Sequence, residues 1–209
     1  MILLAAHALA AHALAAEPPA SEEGPVTAPG VVFHVGVSTG KHVIPALADV
    51  LGPGTFARVD VGAGPARVQG YLVAQLALHD GMPWYDQAAY GGPVAVVGDV
   101  LFAQVGLGAR MPFDVWVLRL VPHLDLGVSN GSSPIHPVAY EEDVLPEFGG
   151  TVPTVGLSAT GAWAQLGGDI GVPIIEDAVD LYLATDVGYI AIRGVGLTLD
   201  ARVGLAARF

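Results

Sequence analysis

The residues of this chain best suited to chemistry are three histidines and a set of arginine–aspartate neighbours. Arg58 with Asp60, Arg119 with Asp125, and Asp200 with Arg202 each stand an even number of positions apart, and His34, His79 and His123 sit in similar surroundings. Even spacing puts two side chains on the same face of a strand. Arginine and aspartate so placed form bidentate ion pairs, and an imidazole can ligate a metal or relay a proton. The plainer use fits both sets better: polar groups that fill a crowded interior and bond one another, with a gate that opens by re-pairing as the sharper form. No metal and no cofactor is assigned.

Nucleophilic chemistry has one candidate. Ser129, followed by Asn130 and a dozen residues later by Glu141, imitates part of a lipid-deacylating barrel site, but Gly127 stands where the histidine should be. Without a general base the hydroxyl is not activated. No catalytic residue is assigned, the chain is not read as an enzyme, and a lipid-modifying barrel enzyme is kept as a minor alternative. The acidic run Tyr140 to Glu147 offers carboxylates for Ca²⁺ but lacks the glycine-punctuated spacing of a calcium loop, so it reads as a solvated loop.

Strands must position these groups. In the last thirteen residues, LTLDARVGLAARF, one parity is purely apolar from Leu197 to Phe209, while Asp200, Arg202 and Arg208 lie on the other. The same division recurs in seven earlier segments, which begin near 31, 55, 66, 98, 113, 151 and 177. A polar face rich in Arg and Asp and nearly free of Lys suits a closed interior better than a watery surface. The predicted interior network comprises Arg58, Asp60, Arg67, His79, Arg110, Arg119, His123, Asp125, Asp180, Asp200 and Arg202. Trp84, Tyr85, Trp116, Trp163 and Phe209 are the predicted interface aromatics, amphipathic or apolar rings at the boundary of an apolar belt.

The connections alternate in length. Short ones are expected near 62 to 66, 110 to 112 and 167 to 176, long ones near 39 to 54, 80 to 92 and 129 to 150. Glycine and proline, 28 and 16 of 209 residues, argue against long helices, so an all-β chain is expected. There is no cysteine, hence no disulfide and no thiolate site. A net charge of −12, with 8 basic against 20 acidic residues, makes nucleic acid a poor partner. Residues 1–15 read as a secretory signal peptide, with Ala13-Leu14-Ala15 as a cleavage pattern, although no basic residue precedes the apolar run. Residues 16–30 form a Pro- and Glu-rich linker, and 31–209 the folded domain.

On the strand count, the loop asymmetry, the leader and the terminal strand ending in Phe209, residues 31–209 resemble small bacterial outer-membrane β-barrels of the outer-membrane protein A transmembrane-domain type. The resemblance implies an eight-stranded antiparallel up-and-down transmembrane barrel with short periplasmic turns and longer external loops. It further implies residence in the outer membrane with the lipid bilayer as partner, and recognition of strand 197–209 by the barrel-assembly machinery. Eight strands enclose a lumen that side chains fill, so a wide diffusion porin is not expected. What remains is a structural envelope role, interaction through the loops, or passage of small solutes through a narrow lumen. The alternative is a secreted soluble β-barrel that binds an apolar ligand, which requires the opposite geometry: apolar rows inside and ionised rows in water.

Overall fold

Alternation of polar and apolar side chains becomes, in three dimensions, an inside and an outside. The computed structural model describes residues 30–49, 51–81, 83–84, 95–97, 99–136, 155–175, 178–192 and 195–209. Eight long strands carry the fold: β1 (Val31–Val43), β2 (Gly54–Pro65), β3 (Gln69–His79), β4 (Val100–Arg110), β5 (Leu118–His136), β6 (Val155–Ile175), β7 (Val179–Ile190) and β8 (Gly196–Arg208). Each pairs antiparallel with the next, and β1 pairs with β8, so the sheet closes. The protein is an all-β, eight-stranded up-and-down barrel.

The registers fix its geometry. A walk along paired residues from Phe33 through Ala63, Gly70, Ala109, Leu124, Leu166, Val187 and Leu199 returns to β1 at Val43, ten residues beyond its start. That stagger requires strongly tilted strands, about 35–45° to the barrel axis. At this size the interior holds side chains and little else.

The two rims differ. At one, β2 and β3 are joined through 66–68, β6 and β7 through 176–178, and β4 and β5 by a hairpin in which Phe113–Val115 pairs back on the start of β5. At the other, the connections cover 44–53, 80–99, 137–154 and 191–195. The short strand Ala95–Val97 extends the wall at this end by pairing with β5, and Pro83–Trp84 pairs with it in turn.

Three strands outrun the sequence expectation. β1 continues through Thr39 to Val43, and β5 continues to His136 through a polar stretch expected to be loop. β6 runs unbroken to Ile175, across the Gly167-Gly168 pair expected to turn. Gly167 serves another purpose: a Cβ there would lie 1.7 Å from the Asp186 carboxylate, so glycine makes room for an interior ion pair. The leader, the linker up to residue 29 and the acidic run 140–147 lie outside the described residues.

Candidate functional site

The wall divides its side chains sharply. Leu72, Leu107, Leu166 and Leu183 are each more than 60% exposed on the outer face, whereas Arg58 is 2% and Asp125 0% exposed within. This is the reverse of what the soluble apolar-ligand reading requires. Among the described residues, five arginines and six aspartates of the eight strands point inward or to the lumen rim, so the interior is close to neutral.

From the short-turn rim inward, the network is layered. Arg119 donates from Nε and Nη2 to the two oxygens of Asp114 in the hairpin, at 2.7 and 3.1 Å, and its Nη1 lies 3.6 Å from Asp180. Arg208 donates to Asp180 at 3.0 Å. The Arg119 guanidinium holds the exposed Asp114 carboxyl below its ordinary value, chiefly by hydrogen bonding. A cavity of about 30 Å³ lies here, bounded by Gln69, Arg110, Arg119, Asp180 and Arg208 among others.

Deeper, Arg110 donates to Gln69 at 2.8 Å and lies 3.7 Å from Asp60, which also faces His34 at 3.4 Å. Arg202 is the hub of the next layer. Its Nε donates to Asp186 and its Nη2 to Asp169, both at 2.8 Å, and its Nη1 reaches the Tyr182 hydroxyl at 3.3 Å. His123 Nε2 sits 2.9 Å from Asp186 on the same cluster. Beside it, Arg58 donates to Asp125 at 2.7 Å and to Gln165 at 3.3 Å, and the Tyr71 hydroxyl donates to Asp125. Asp200 accepts from Gln165 at 2.6 Å and Gln75 at 3.3 Å, and faces His42 Nδ1 at 2.7 Å.

Toward the long-loop end the interior turns apolar. Phe56, Phe102, Trp163 and Ile190 are buried together, and Ile44 and Leu51 from the 44–53 connection cover them. His42 stacks on Phe102 and meets His79 edge to face. His79 Nδ1 lies 2.9 Å from the Gly52 carbonyl, which ties the connection to the lumen wall. Among the described residues, carboxylates facing arginines fill the lumen below a layer of packed rings.

Of the predicted interior residues, Arg58, Asp60, His79, Arg110, His123, Asp125, Asp180, Asp200 and Arg202 are buried in the lumen, and Arg119 stands at its rim. Arg67 does not join them. It lies exposed in the 66–68 turn, because β2 ends at Pro65 and β3 begins only at Gln69. Trp163 is the second correction: predicted at the lipid interface, it is 3% exposed inside the barrel. Ending β6 at Leu166 hid the outward row Leu166, Ile170, Val172 and Ile174, which fixes Trp163 and Gln165 on the inner parity. Trp116 is almost wholly exposed, but at the hairpin tip with φ 58° and not in a strand.

Phe209 exchanges two backbone hydrogen bonds with Phe33, at 3.0 and 3.1 Å, closing the seam at the short-turn rim. The Trp84 backbone belongs to a short strand, while its side chain and Tyr85 lie outside the described residues. Asp169 was hidden in the expected turn and His42 in the expected loop. Their inward parity is the signal that would have found them. Ser129 points into the lumen, fully buried, while Asn130 faces outward and donates to Ser158 and Thr160. Glu141 lies outside the described residues.

No protein-family model matches the chain, and no curated protein matches it in sequence. Among solved structures it is similar to a major outer membrane protein from Thermus thermophilus, at 14% identity and a TM-score of 0.60, over 86% of this chain and 99% of that one. Neisserial surface protein A is similar at 12% identity and a TM-score of 0.47, over 86% and 97% of the two chains. The N-terminal β-barrel domain of Pseudomonas aeruginosa OprF is similar at 11% and 0.43, again over 86% and 97%. The likeness to the Thermus protein is one of fold, and the fold is that of the small outer-membrane β-barrels.

Proposed function

We propose that the protein is an integral β-barrel of the bacterial outer membrane, whose lumen is a structural core and whose specific task belongs to its long-loop end. One observation carries this reading: the outer face is a continuous apolar belt, while the arginines and aspartates are sequestered inside. Water could not satisfy that belt, and hydrocarbon does. Each of the eight strands is hydrogen-bonded to a neighbour on either side around a closed sheet, as hydrocarbon demands.

The filled lumen favours a scaffold or envelope role over passage of solutes. Among the described residues, packed rings at one end and ion pairs below them leave no wide path. Contacts with other molecules then fall to the external connections, including the acidic stretch Tyr140 to Glu147. The terminal strand with Phe209 is the segment for the barrel-assembly machinery to read, and the acidic balance of the chain disfavours nucleic acid as a partner.

Three measurements test this together. The folded protein should resist extraction by carbonate and migrate differently on a gel before and after boiling. In planar bilayers it should give no sustained conductance steps. Release by carbonate overturns the membrane reading, and steady open channels overturn the closed lumen.

A further inference from the structure

Among the described residues, the outward faces of the eight strands carry one formal charge, Lys41, which is also the only lysine in the sequence. It lies on β1, two residues before the strand ends at Val43 on the long-loop side. Its Nζ donates to the Thr55 hydroxyl at 3.1 Å, and no carboxylate among the described residues is paired with it. A strongly hydrated ammonium on a lipid-facing stripe is unfavourable unless it reaches the headgroup level or meets an anion.

The wall beside Lys41 is hollowed. Lys41 pairs across to Ala201, Ala201 to Thr185, and Thr185 to Gly168, a path of small side chains over four strands. A Cβ on Gly168 would meet open space. The resulting groove, about 450 Å³, is walled by Ile170, Leu183 and Val203. It shares Thr39 and Val203 with a second, apolar groove of about 720 Å³, which continues over Ala57, Ala74 and Leu205 toward the short-turn end. A cation near headgroup depth thus opens onto apolar channels that lead into the belt.

We propose that this outward groove binds a phosphate-bearing acyl lipid, with Lys41 Nζ and the Thr55 hydroxyl holding the phosphate and the grooves receiving an acyl chain. Charge complementarity selects the occupant: the anion that Lys41 lacks in the wall around it is supplied by the headgroup of the surrounding leaflet. The inference rests on the membrane-spanning reading given above.

Native mass spectrometry of the detergent-folded barrel, with dioleoylphosphatidic acid or dioleoylphosphatidylcholine added, tests it. Wild type should retain one phosphatidic acid. Lys41→Gln should retain about fivefold less, the factor expected for losing one lysine at an anionic lipid surface, and Lys41→Arg should restore it. Gly168→Leu, which fills the groove and keeps the charge, should also lose the lipid. Equal retention by wild type and Lys41→Gln, equal retention of phosphatidylcholine, or a lipid-free dimer burying this face would overturn the site. Folding into phosphatidylcholine vesicles is scored on the same preparations. Failure to insert overturns the membrane reading and the site with it, whereas insertion without lipid preference overturns the site alone.

Discussion

Arg58 on β2 and Asp125 on β5 meet across the barrel, with Nη1 and Oδ2 2.7 Å apart and both side chains shut off from solvent. The strands that bear them are not neighbours in the sheet. The pair therefore fastens opposite walls, something the ladder of backbone hydrogen bonds cannot do.

Breaking that fastening from one side should be costly. Asp125→Ala leaves the buried Arg58 guanidinium with only Asp60, 4.0 Å from its Nε, as counter-ion, and Tyr71 loses its acceptor as well. The expected loss is about 3–5 kcal/mol, read as a lower urea midpoint for unfolding from vesicles. Replacing both partners with apolar residues, Arg58→Met with Asp125→Leu, should cost less than Asp125→Ala alone.

The two adjacent glycines of β6 should behave differently. Gly167→Ala drives a methyl into the Asp186 carboxylate and disturbs its bond to Arg202, an overpacking that costs about 1–3 kcal/mol. Gly168→Ala meets open space on the outer face, and its stability should change by no more than about 0.5 kcal/mol. Equal effects at the two positions would contradict the assigned parity of β6.

At the short-turn rim, Asp114 titrates below an ordinary aspartate because Arg119 hydrogen-bonds its ionised form. A lowered folded value means that the pair stabilises the fold above the unfolded pKa, and that this contribution is lost as pH falls through the folded one. Solvent screening keeps the contribution small. Carbon-detected NMR titration should find the Asp114 carboxyl depressed in wild type and returned toward normal in Arg119→Gln.

Tryptophan emission separates Trp163 from Trp116. In single-tryptophan variants, Trp163, packed with Phe56, Phe102 and Ile190, should resist both acrylamide and brominated lipid. Trp116, at an exposed hairpin tip, should be quenched readily by acrylamide. Quenching of Trp163 by brominated lipid would restore it to the outer face.

Where burial was one-sided, the sequence was readable. β3, β7 and β8 alternate strictly, and their polar residues Gln75, Asp180, Asp186, Asp200 and Arg202 all point inward. The signal failed at strand ends that pass the apolar belt, since there both faces can be polar and β5 continues through Ser-Asn-Gly-Ser-Ser to His136 without an alternation to mark it. It failed again in β6, because Gly167 answers to the bulk of Asp186, a residue nineteen positions away that no local pattern reveals. The apolar seal was the least visible part. Trp163 looks like a membrane anchor by type, and only its parity within the full length of β6 sends it inside, beside Phe56 and Phe102.

The orientation of the wall is the claim on which the rest depends, and the absence of native cysteine makes it directly measurable. Nitroxide labels placed one at a time along Tyr71 to Leu76 in β3, in protein folded into vesicles, report contact with oxygen dissolved in hydrocarbon. High oxygen accessibility at Leu72, Ala74 and Leu76, with low values at Tyr71, Val73 and Gln75, is the predicted result. The inverted pattern, or a profile without a two-residue period, would contradict it.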